Sequence, residues 1–155
     1  MRINMEKNSY KHKILETVKF HEVDMLGVCN NAVYLNYFED ARIKYVQDLK
    51  RKFGLKKLLE NDSFFIMVHN EIDYVESAHL DDELWIYTKV EFIKKTSFGF
   101  RHIVEKKSNG KIIARGGGVV VHINKKERTP IPLPQEFYDA VNNLDPQVKI
   151  LKSDN

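Results

Sequence analysis

Residues 21–39 read HEVDMLGVCNNAVYLNYFE. This stretch begins at the end of a strand-like run, places Asp24 in a short loop with Gly27, and enters an apolar helix after two asparagines. A carboxylate, a tight turn and a helix N-terminus therefore lie within eight residues of each other. The free N–H groups of a helix start carry a partial positive charge of about +0.5, which favours a group that develops negative charge. The sequence predicts a reaction site here.

The residues after this loop predict one long helix, from Asn31 to about Phe53. Apolar side chains recur there at three- and four-residue steps, which is typical of a helix with one buried face. At about 1.5 Å per residue, such a helix is over ~30 Å long. We expect Asn30 or Asn31 to cap its N-terminus and Gly54 to end it. The buried face is predicted to contain Tyr34, Phe38, Ala41, Tyr45 and Leu49, widened by Tyr37, Val46 and Phe53.

Most of the remaining chain shows the alternation of β-strands. The predicted strands are Tyr10–Phe20, Phe64–Val75, Leu84–Ile93, Ser97–Glu105 and Lys111–Ile123. Asn109-Gly110 predicts a tight hairpin with a type I′ turn, because both residues tolerate positive φ angles. Short helical segments are predicted at Leu55–Glu60 and Gln135–Val141, with a loop at residues 61–63 between the long helix and the next strand.

This order of elements predicts an α+β fold with two layers. One long amphipathic helix needs a partner large enough to bury its apolar face, and the concave side of a strongly curved antiparallel sheet is such a partner. Three consecutive glycines, Gly116–Gly118, interrupt the last long strand. They predict a bulge or a close passage of the helix, since glycine weakens a strand unless another backbone or side chain comes near.

Composition narrows the class of protein. The 155 residues fit one domain, and an apolar content of 43% indicates a globular chain. A net charge of +3, with lysine and glutamate interspersed, favours a solvated surface over a nucleic-acid interface. The single cysteine, Cys29, excludes an intrachain disulfide and suits a reducing cytoplasm. No stretch approaches the roughly 20 apolar residues that cross a bilayer, so we expect a cytoplasmic protein without a membrane span.

A series of motifs, in this order, resembles a known family. They are Val18-Lys19-Phe20, Asp24-x-x-Gly27, Asn30-Asn31-Ala32-Val33-Tyr34-Leu35-x-Tyr37-Phe38-Glu39-x-Ala41-Arg42, Asn70-Glu71-Ile72-Asp73-Tyr74, Asp81-Asp82-Glu83-Leu84 and Arg128-Thr129-Pro130-Ile131-Pro132. They are similar to motifs of the hotdog-fold acyl-CoA thioesterases, in particular the 4-hydroxybenzoyl-CoA thioesterase-like group. The resemblance covers roughly residues 10–140 and implies a single hotdog domain over residues 1–155, in which the sheet wraps the long helix.

The resemblance also implies an activity and an assembly. The activity is hydrolysis of an acyl-CoA or acyl carrier protein thioester, with the family's catalytic carboxylate falling on Asp24 and its carbonyl-polarising backbone N–H at about Asn31. Two subunits join their sheets edge to edge in a homodimer, often paired again into a homotetramer, and the thioester enters at the dimer interface. Coenzyme A takes part as a portion of the substrate; no metal or other cofactor is expected.

Asp24 has more than one possible role. It can attack the thioester and form a mixed anhydride, act as a general base on water, or simply cap its own turn. Many relatives carry histidine where this chain has Val28 or Asn31, which leaves Asp24 the main catalytic candidate. A hydroxyacyl dehydratase, which would want a catalytic histidine beside a carboxylate, and a non-catalytic acyl-CoA-binding protein are the alternatives. The sequence does not distinguish between acyl groups.

Other residues are predicted to contact the substrate, each with a plainer structural alternative as a turn, cap, strand or core residue. They are Gly27, Val28, Asn30, Asn31, Tyr34, His69, Thr96 and Ser97. Thr96 and Ser97 follow two lysines that would form a basic rim for the phosphates of coenzyme A, or an ordinary solvated turn. Residues 116–118 would leave space for an acyl chain or the pantetheine arm. Cys29 is expected to be a buried thiol rather than a nucleophile, because no histidine stands at a suitable spacing.

Overall fold

The computed structural model describes residues 6–55 and 62–151. Its elements are β1 (His12–Thr17), a 3-10 turn (Phe20–Glu22), α1 (Val33–Phe53), β2 (Ser63–Tyr74), β3 (Glu83–Ile93), β4 (Ser97–Lys106), β5 (Ile112–Asn124), α2 (Gln135–Leu144) and β6 (Lys149–Ile150). The predicted order of one strand, a long helix and four strands is confirmed. Most of the helical segment predicted at Leu55–Glu60, and Asn61 after it, lie outside the described residues. No helix in the described ranges is both long and apolar enough to span a bilayer.

All six strands form one sheet. Its order is β1-β3-β4-β5-β2 with antiparallel neighbours, and the short β6 runs parallel to the end of β3. The register shifts between Met67 and His69 in β2 and between Val90 and Phe92 in β3, and such shifts bend a strand. Within the described residues, β2 pairs with β5 alone and forms one edge of the sheet.

The sheet buries one face of α1, as the helical periodicity predicts. The buried residues of this helix are Tyr34, Tyr37, Phe38, Ala41, Tyr45 and Leu49. Each large side chain removed from water in this way contributes roughly 1.5–3 kcal/mol. Val46 is only partly buried, and Phe53 is 38% exposed at the last turn, so the stripe is narrower at its C-terminal end than predicted. This arrangement of one long helix against a curved antiparallel sheet is the predicted hotdog fold.

The predicted cap at the start of α1 is wrong. The helix begins at Val33, and the N-cap residue is Ala32, whose side chain makes no capping hydrogen bond. Asn30 instead uses its backbone, since its C=O accepts the N–H of Val33 at 3.0 Å. The C-terminal prediction is confirmed, because Gly54 ends the helix in the left-handed region with φ 60°.

The hairpin between β4 and β5 is confirmed, but its turn is not type I′. A type I′ turn needs positive φ at two successive residues, and here Gly110 has φ 73° while Asn109 does not have a positive φ. The N–H of Gly110 bonds to the C=O of Lys106 at 2.8 Å, which closes a wider turn. The Asn109 side chain accepts the N–H of Lys111 at 3.0 Å and so stabilises that turn locally.

The glycine run in β5 allows a close passage of the helix. A Cβ at Gly116 would lie 2.6 Å from the ring of Phe38 and 2.5 Å from the C=O of Glu71. A Cβ at Gly118 would lie 2.5 Å from the end of Met67. The predicted helix passage is confirmed at Gly116, where Phe38 occupies the space beside the strand, and Met67 occupies the space beside Gly118.

One buried histidine lies under α1. The ring of His102 stacks on Phe38 with centroids 4.4 Å apart, and Nδ1 lies 2.9 Å from the hydroxyl of Thr88. Its Nε2 has no hydrogen-bond partner in the described part of the chain. Burial, helped by the charge of Arg42, lowers the pKa of His102 to about 3. His102 is therefore a neutral core residue at physiological pH.

This histidine should make the fold sensitive to acid. Between its folded pKa of about 3 and the ordinary value of 6.5, the unfolded chain binds one more proton, so stability is lost as pH falls through this window. His102→Phe keeps the stacked ring and removes the titrating group. We expect the free energy of unfolding, measured by urea denaturation at pH 7.5 and 4.5, to fall by about 2–3 kcal/mol more in the wild type than in the variant. Equal falls would contradict the assignment.

Candidate active site

The loop that carries Asp24 is a tight hairpin. Val23 and Cys29 form an antiparallel bridge across it, and the N–H of Asp24 bonds to the C=O of Val28 at 2.9 Å. The N–H of Gly27 bonds to the C=O of Asp24 at 3.0 Å, and Gly27 has φ 77°. Glycine adopts this left-handed conformation without steric cost, so the predicted turn role of Gly27 is confirmed.

The two oxygens of the Asp24 carboxylate have different surroundings. Oδ1 accepts the N–H of Leu26 at 2.8 Å and that of Val28 at 3.3 Å. Oδ2 makes no hydrogen bond within the described ranges, and the residue is exposed. One oxygen therefore orients the carboxylate by capping the turn while the other is open to a reactant. The capping and reactive interpretations of Asp24 are compatible.

A second segment supports the other side of this hairpin. The N–H of Cys29 bonds to the C=O of Ala78 at 2.8 Å, and Val28 pairs with His79 in an isolated bridge. His79, which is distant along the chain, thus lies beside Val28. The His79 side chain is 57% exposed, and its Nδ1 is 3.9 Å from Asp82. Sequence reasoning missed this neighbour because it is distant along the chain.

The start of α1 has backbone N–H groups available next to the loop. The N–H groups of Asn31 and Ala32 donate to no backbone acceptor in the part of the chain that the structure describes. They lie at the positive end of the helix dipole. The Tyr74 hydroxyl donates to the C=O of Asn31 at 3.0 Å and holds this turn against the end of β2. A cavity of about 240 Å³ adjoins it, lined by Cys29, Asn31, Tyr34, Tyr74 and residues 75–77.

Tyr34 and Cys29 are both buried beside this cavity, and the contact of Tyr34 with a substrate stays a prediction. Tyr34 is 2% exposed, and its hydroxyl accepts the N–H of Ala78 at 3.3 Å. Cys29 is 4% exposed, and burial raises the pKa of its thiol. Because the thiolate is the nucleophilic form of cysteine, this environment disfavours a cysteine nucleophile.

A larger groove lies between α1 and the N-terminal half of β2. Its volume is about 670 Å³, and its apolar lining includes Ile43, Val46, Phe64, Phe65, Met67 and Phe100. Arg42 also lines it; burial lowers the pKa of its guanidinium, and Arg42 has no ion pair among the described residues. The groove has room for an apolar group. It lies at the N-terminal end of β2, whereas the Asp24 loop lies at the C-terminal end of that strand.

The structure does not bring Thr96 and Ser97 to Asp24 within one chain. Ser97 pairs with Val121, which pairs with Ile66 near the N-terminal end of β2. The Asp24 loop instead lies beyond the C-terminal end of β2, where the Tyr74 hydroxyl donates to the C=O of Asn31. Sequence reasoning could not see this, because strand patterns do not reveal which strand ends meet.

The other predicted contacts are placed as follows. His69 is exposed on β2 next to the register shift, and its contact with a substrate stays a prediction. Asn30 is exposed beside the loop, and its N–H bonds to the C=O of Glu22 at 2.9 Å. The sequence does not predict the hydrogen bond between Glu22 and Tyr37 next to this loop. In the described ranges no group of three His, Cys, Asp or Glu side chains is arranged to hold a metal ion.

Comparisons with known proteins show the family to which the chain belongs. The family model of the Thioesterase-like superfamily matches residues 18–141. An acyl-CoA thioesterase named YbgC from Haemophilus influenzae is 29% identical over 128 residues, which cover 82% of this chain and 91% of the relative. A thioesterase from Thermus thermophilus, solved with coenzyme A and zinc, is 28% identical with a TM-score of 0.73, covering 89% of this chain and 97% of that one.

A more distant structure supports the fold alone. The 1,4-dihydroxy-2-naphthoyl-CoA thioesterase from Synechocystis is 22% identical with a TM-score of 0.72, covering 86% of this chain and 96% of that one. The family match includes the Asp24 loop, α1 and the four long strands. The predictions of the family, the fold and a thioesterase enzyme are confirmed. The chain belongs to the Thioesterase-like superfamily and has its hotdog fold.

Proposed function

We propose that this protein hydrolyses the thioester of an acyl-CoA to the free acid and coenzyme A. The observation that carries the proposal is the open Oδ2 of Asp24, on a hairpin that leads directly into a helix start with unpaired N–H groups. The relative from Haemophilus influenzae, which is named an acyl-CoA thioesterase, and the coenzyme A complex from Thermus thermophilus support the same substrate class.

The helix start would hold the carbonyl oxygen of the thioester. When the carbonyl carbon is attacked, this oxygen gains negative charge, which the N–H groups of Asn31 and Ala32 at the positive end of the α1 dipole would stabilise. A single well-placed donor to such an oxyanion lowers the barrier by roughly 3–4 kcal/mol. In this proposal the asparagine acts through its backbone, so its side chain is not catalytic.

Asp24 would supply the second half of the chemistry. As a general base, Oδ2 takes a proton from water while the water oxygen adds to the carbonyl carbon; the C–S bond then breaks, and the thiolate takes the proton. As a nucleophile, Oδ2 itself adds to the carbonyl carbon and expels the thiolate, and water hydrolyses the resulting mixed anhydride. Both routes give the same acid and thiol, and both leave Asp24 as a carboxylate.

A second copy of the chain would complete the site. Strand β2 presents an unpaired edge, on which Ile66 is 37% and Val68 58% exposed, and such an edge is a template for another strand. Antiparallel pairing of two β2 strands places the C-terminal end of one beside the N-terminal end of the other. The Asp24 loop of one subunit would then face the apolar groove of the second, at the end of its sheet that carries Thr96 and Ser97.

Several features remain proposals of the same kind. We place the enzyme in the cytoplasm because its single cysteine suits a reducing compartment. We also propose a homodimer or a homotetramer, and coenzyme A as part of the substrate and not as a separate cofactor. The histidine that pairs with Val28 is His79, and in the described ranges its side chain makes no hydrogen bond to Asp24, so a hydroxyacyl dehydratase stays the alternative to hydrolysis. A non-catalytic binding protein would bind acyl-CoA without releasing thiol.

Asp24→Asn should abolish most of the activity. The amide oxygen can still accept the N–H groups of Leu26 and Val28, so the turn is kept while the base or nucleophile is lost. We expect kcat/KM to fall at least about 100-fold. The measurement is thiol release from a panel of aliphatic and aromatic acyl-CoAs, followed with a thiol-reactive dye.

Two controls accompany this variant. Asp139→Asn changes an exposed carboxylate on α2, far from the loop, and should keep the wild-type rate. Cys29→Ala should also keep most of the rate, because the buried thiol takes no part in the proposal. Full activity of Asp24→Asn would refute its catalytic role, and a wild type that binds acyl-CoA without thiol release would favour the binding protein.

The proposed dimer can be tested at the sheet edge. Val68→Glu places two like charges near each other in a paired β2, so we expect monomers at micromolar concentration and loss of most thioesterase activity. Leu15→Glu makes the same change on the opposite edge strand, β1, where the side chain is 41% exposed, and should keep both the dimer and the rate. Sedimentation velocity reports the oligomeric state; a monomeric wild type with full activity would contradict the composite site.

A further inference from the structure

A buried carboxylate lies two residues before Asp24. Glu22 is only 9% exposed, at the end of the short 3-10 turn that leads into the hairpin. A charged group removed from water is costly unless hydrogen bonds replace its hydration. The partners of Glu22 therefore show what the fold gains from burying it.

The side chain of Glu22 ties this turn to α1. Its Oε1 accepts the hydroxyl of Tyr37 at 2.8 Å and the N–H of Lys19 at 2.9 Å. Tyr37 is 1% exposed, and burial together with the hydrogen bond to Glu22 raises the pKa of its hydroxyl. The phenol consequently stays protonated and remains a hydrogen-bond donor at any working pH.

The main chain of Glu22 closes the hairpin. Its C=O accepts the N–H of Asn30 at 2.9 Å, next to the bridge between Val23 and Cys29. Residue 22 thus joins the two ends of the loop through its backbone and reaches one turn into the helix through its side chain. The loop carries the carboxylate of Asp24, and the helix carries the N–H groups of its first turn.

A second tyrosine of α1, Tyr45, also donates to a buried carboxyl, and this pair lies away from the site. The Tyr45 hydroxyl donates to the buried carboxyl of Asp145 at 2.5 Å, and that carboxyl also accepts the N–H of Val90 at 3.1 Å. Tyr45 lies two turns further along α1 than Tyr37 and packs against a different core cluster. The molecule therefore provides its own control for what a buried tyrosine–carboxylate pair does for stability alone.

We propose that Glu22 and Tyr37 are positioning residues that fix Asp24 relative to the N–H groups at the start of α1. The proposal rests on the proposed thioester hydrolysis, because both groups must meet one carbonyl at the same time. Loss of the pair lets the hairpin move relative to the helix without removing any group that contacts the substrate. Such a displacement lowers kcat and leaves the KM for acyl-CoA nearly unchanged.

The first test compares matched variants. Tyr37→Phe and Tyr45→Phe each remove from α1 one hydroxyl that donates to a buried carboxyl elsewhere in the chain, Glu22 or Asp145. We expect Tyr37→Phe to lower kcat about 10- to 100-fold with KM within about twofold of wild type, and Tyr45→Phe to keep kcat within about twofold. Glu22→Gln retains an acceptor for Tyr37 and should keep kcat within about threefold of wild type. Glu22→Leu removes the acceptor and should lower kcat at least as much as Tyr37→Phe does.

A second measurement does not depend on activity. Amide hydrogen exchange at Leu26, Val28 and Asn30 should accelerate at least about tenfold in Tyr37→Phe and stay at the wild-type rate in Tyr45→Phe. If the wild type hydrolyses no acyl-CoA, the proposed function fails while exchange still tests the positioning. Wild-type kcat and wild-type exchange in Tyr37→Phe, or an equal loss of kcat in Tyr45→Phe, would overturn the inference.

Discussion

The burial of one face of α1 against the sheet determines where the first turn of that helix lies. Six side chains of the helix are buried there, and together they remove enough apolar surface to contribute on the order of 10 kcal/mol, comparable to the net stability of a whole domain. The helix cannot rotate or slide without losing this contribution. Its first turn, with the N–H groups of Asn31 and Ala32, is therefore fixed at one end of the sheet, where the Asp24 loop closes.

Next to that fixed turn, backbone hydrogen bonds set the geometry of the Asp24 hairpin and leave Oδ2 of Asp24 open. The hairpin is supported from one side by Glu22 and from the other by the segment at Ala78. Oδ1 of Asp24 accepts the N–H groups inside its own turn, so residues of the hairpin itself orient the carboxylate. A reactive group on a loop needs such support, because loops are otherwise the most mobile part of a fold.

The sequence predicts the features that depend on local periodicity and turn chemistry. The stripe of α1 follows from its 3.6-residue repeat, and the turn at Gly27 from the need for a positive φ. The features that the sequence does not predict depend on contacts between residues that are distant along the chain. The predicted cap at Asn30 or Asn31 is wrong because the helix begins only at Val33, with Ala32 at the N-cap. The positions of Thr96 and His79 depend on which strand ends meet. Local sequence patterns do not predict which distant segments lie next to each other.

The proposed dimer bears on the chemistry of the carboxylate as well as on the shape of the pocket. In one chain, Met25 and Leu26 beside Asp24 are 101% and 85% exposed, so Oδ2 of Asp24 is open to water. Water screens a carboxylate and weakens its interaction with a developing charge. A second subunit paired along β2 would bring its apolar groove over these two side chains and remove that water. The contact that buries exposed apolar surface would then also activate Asp24, which gives a physical reason for a site shared between two subunits.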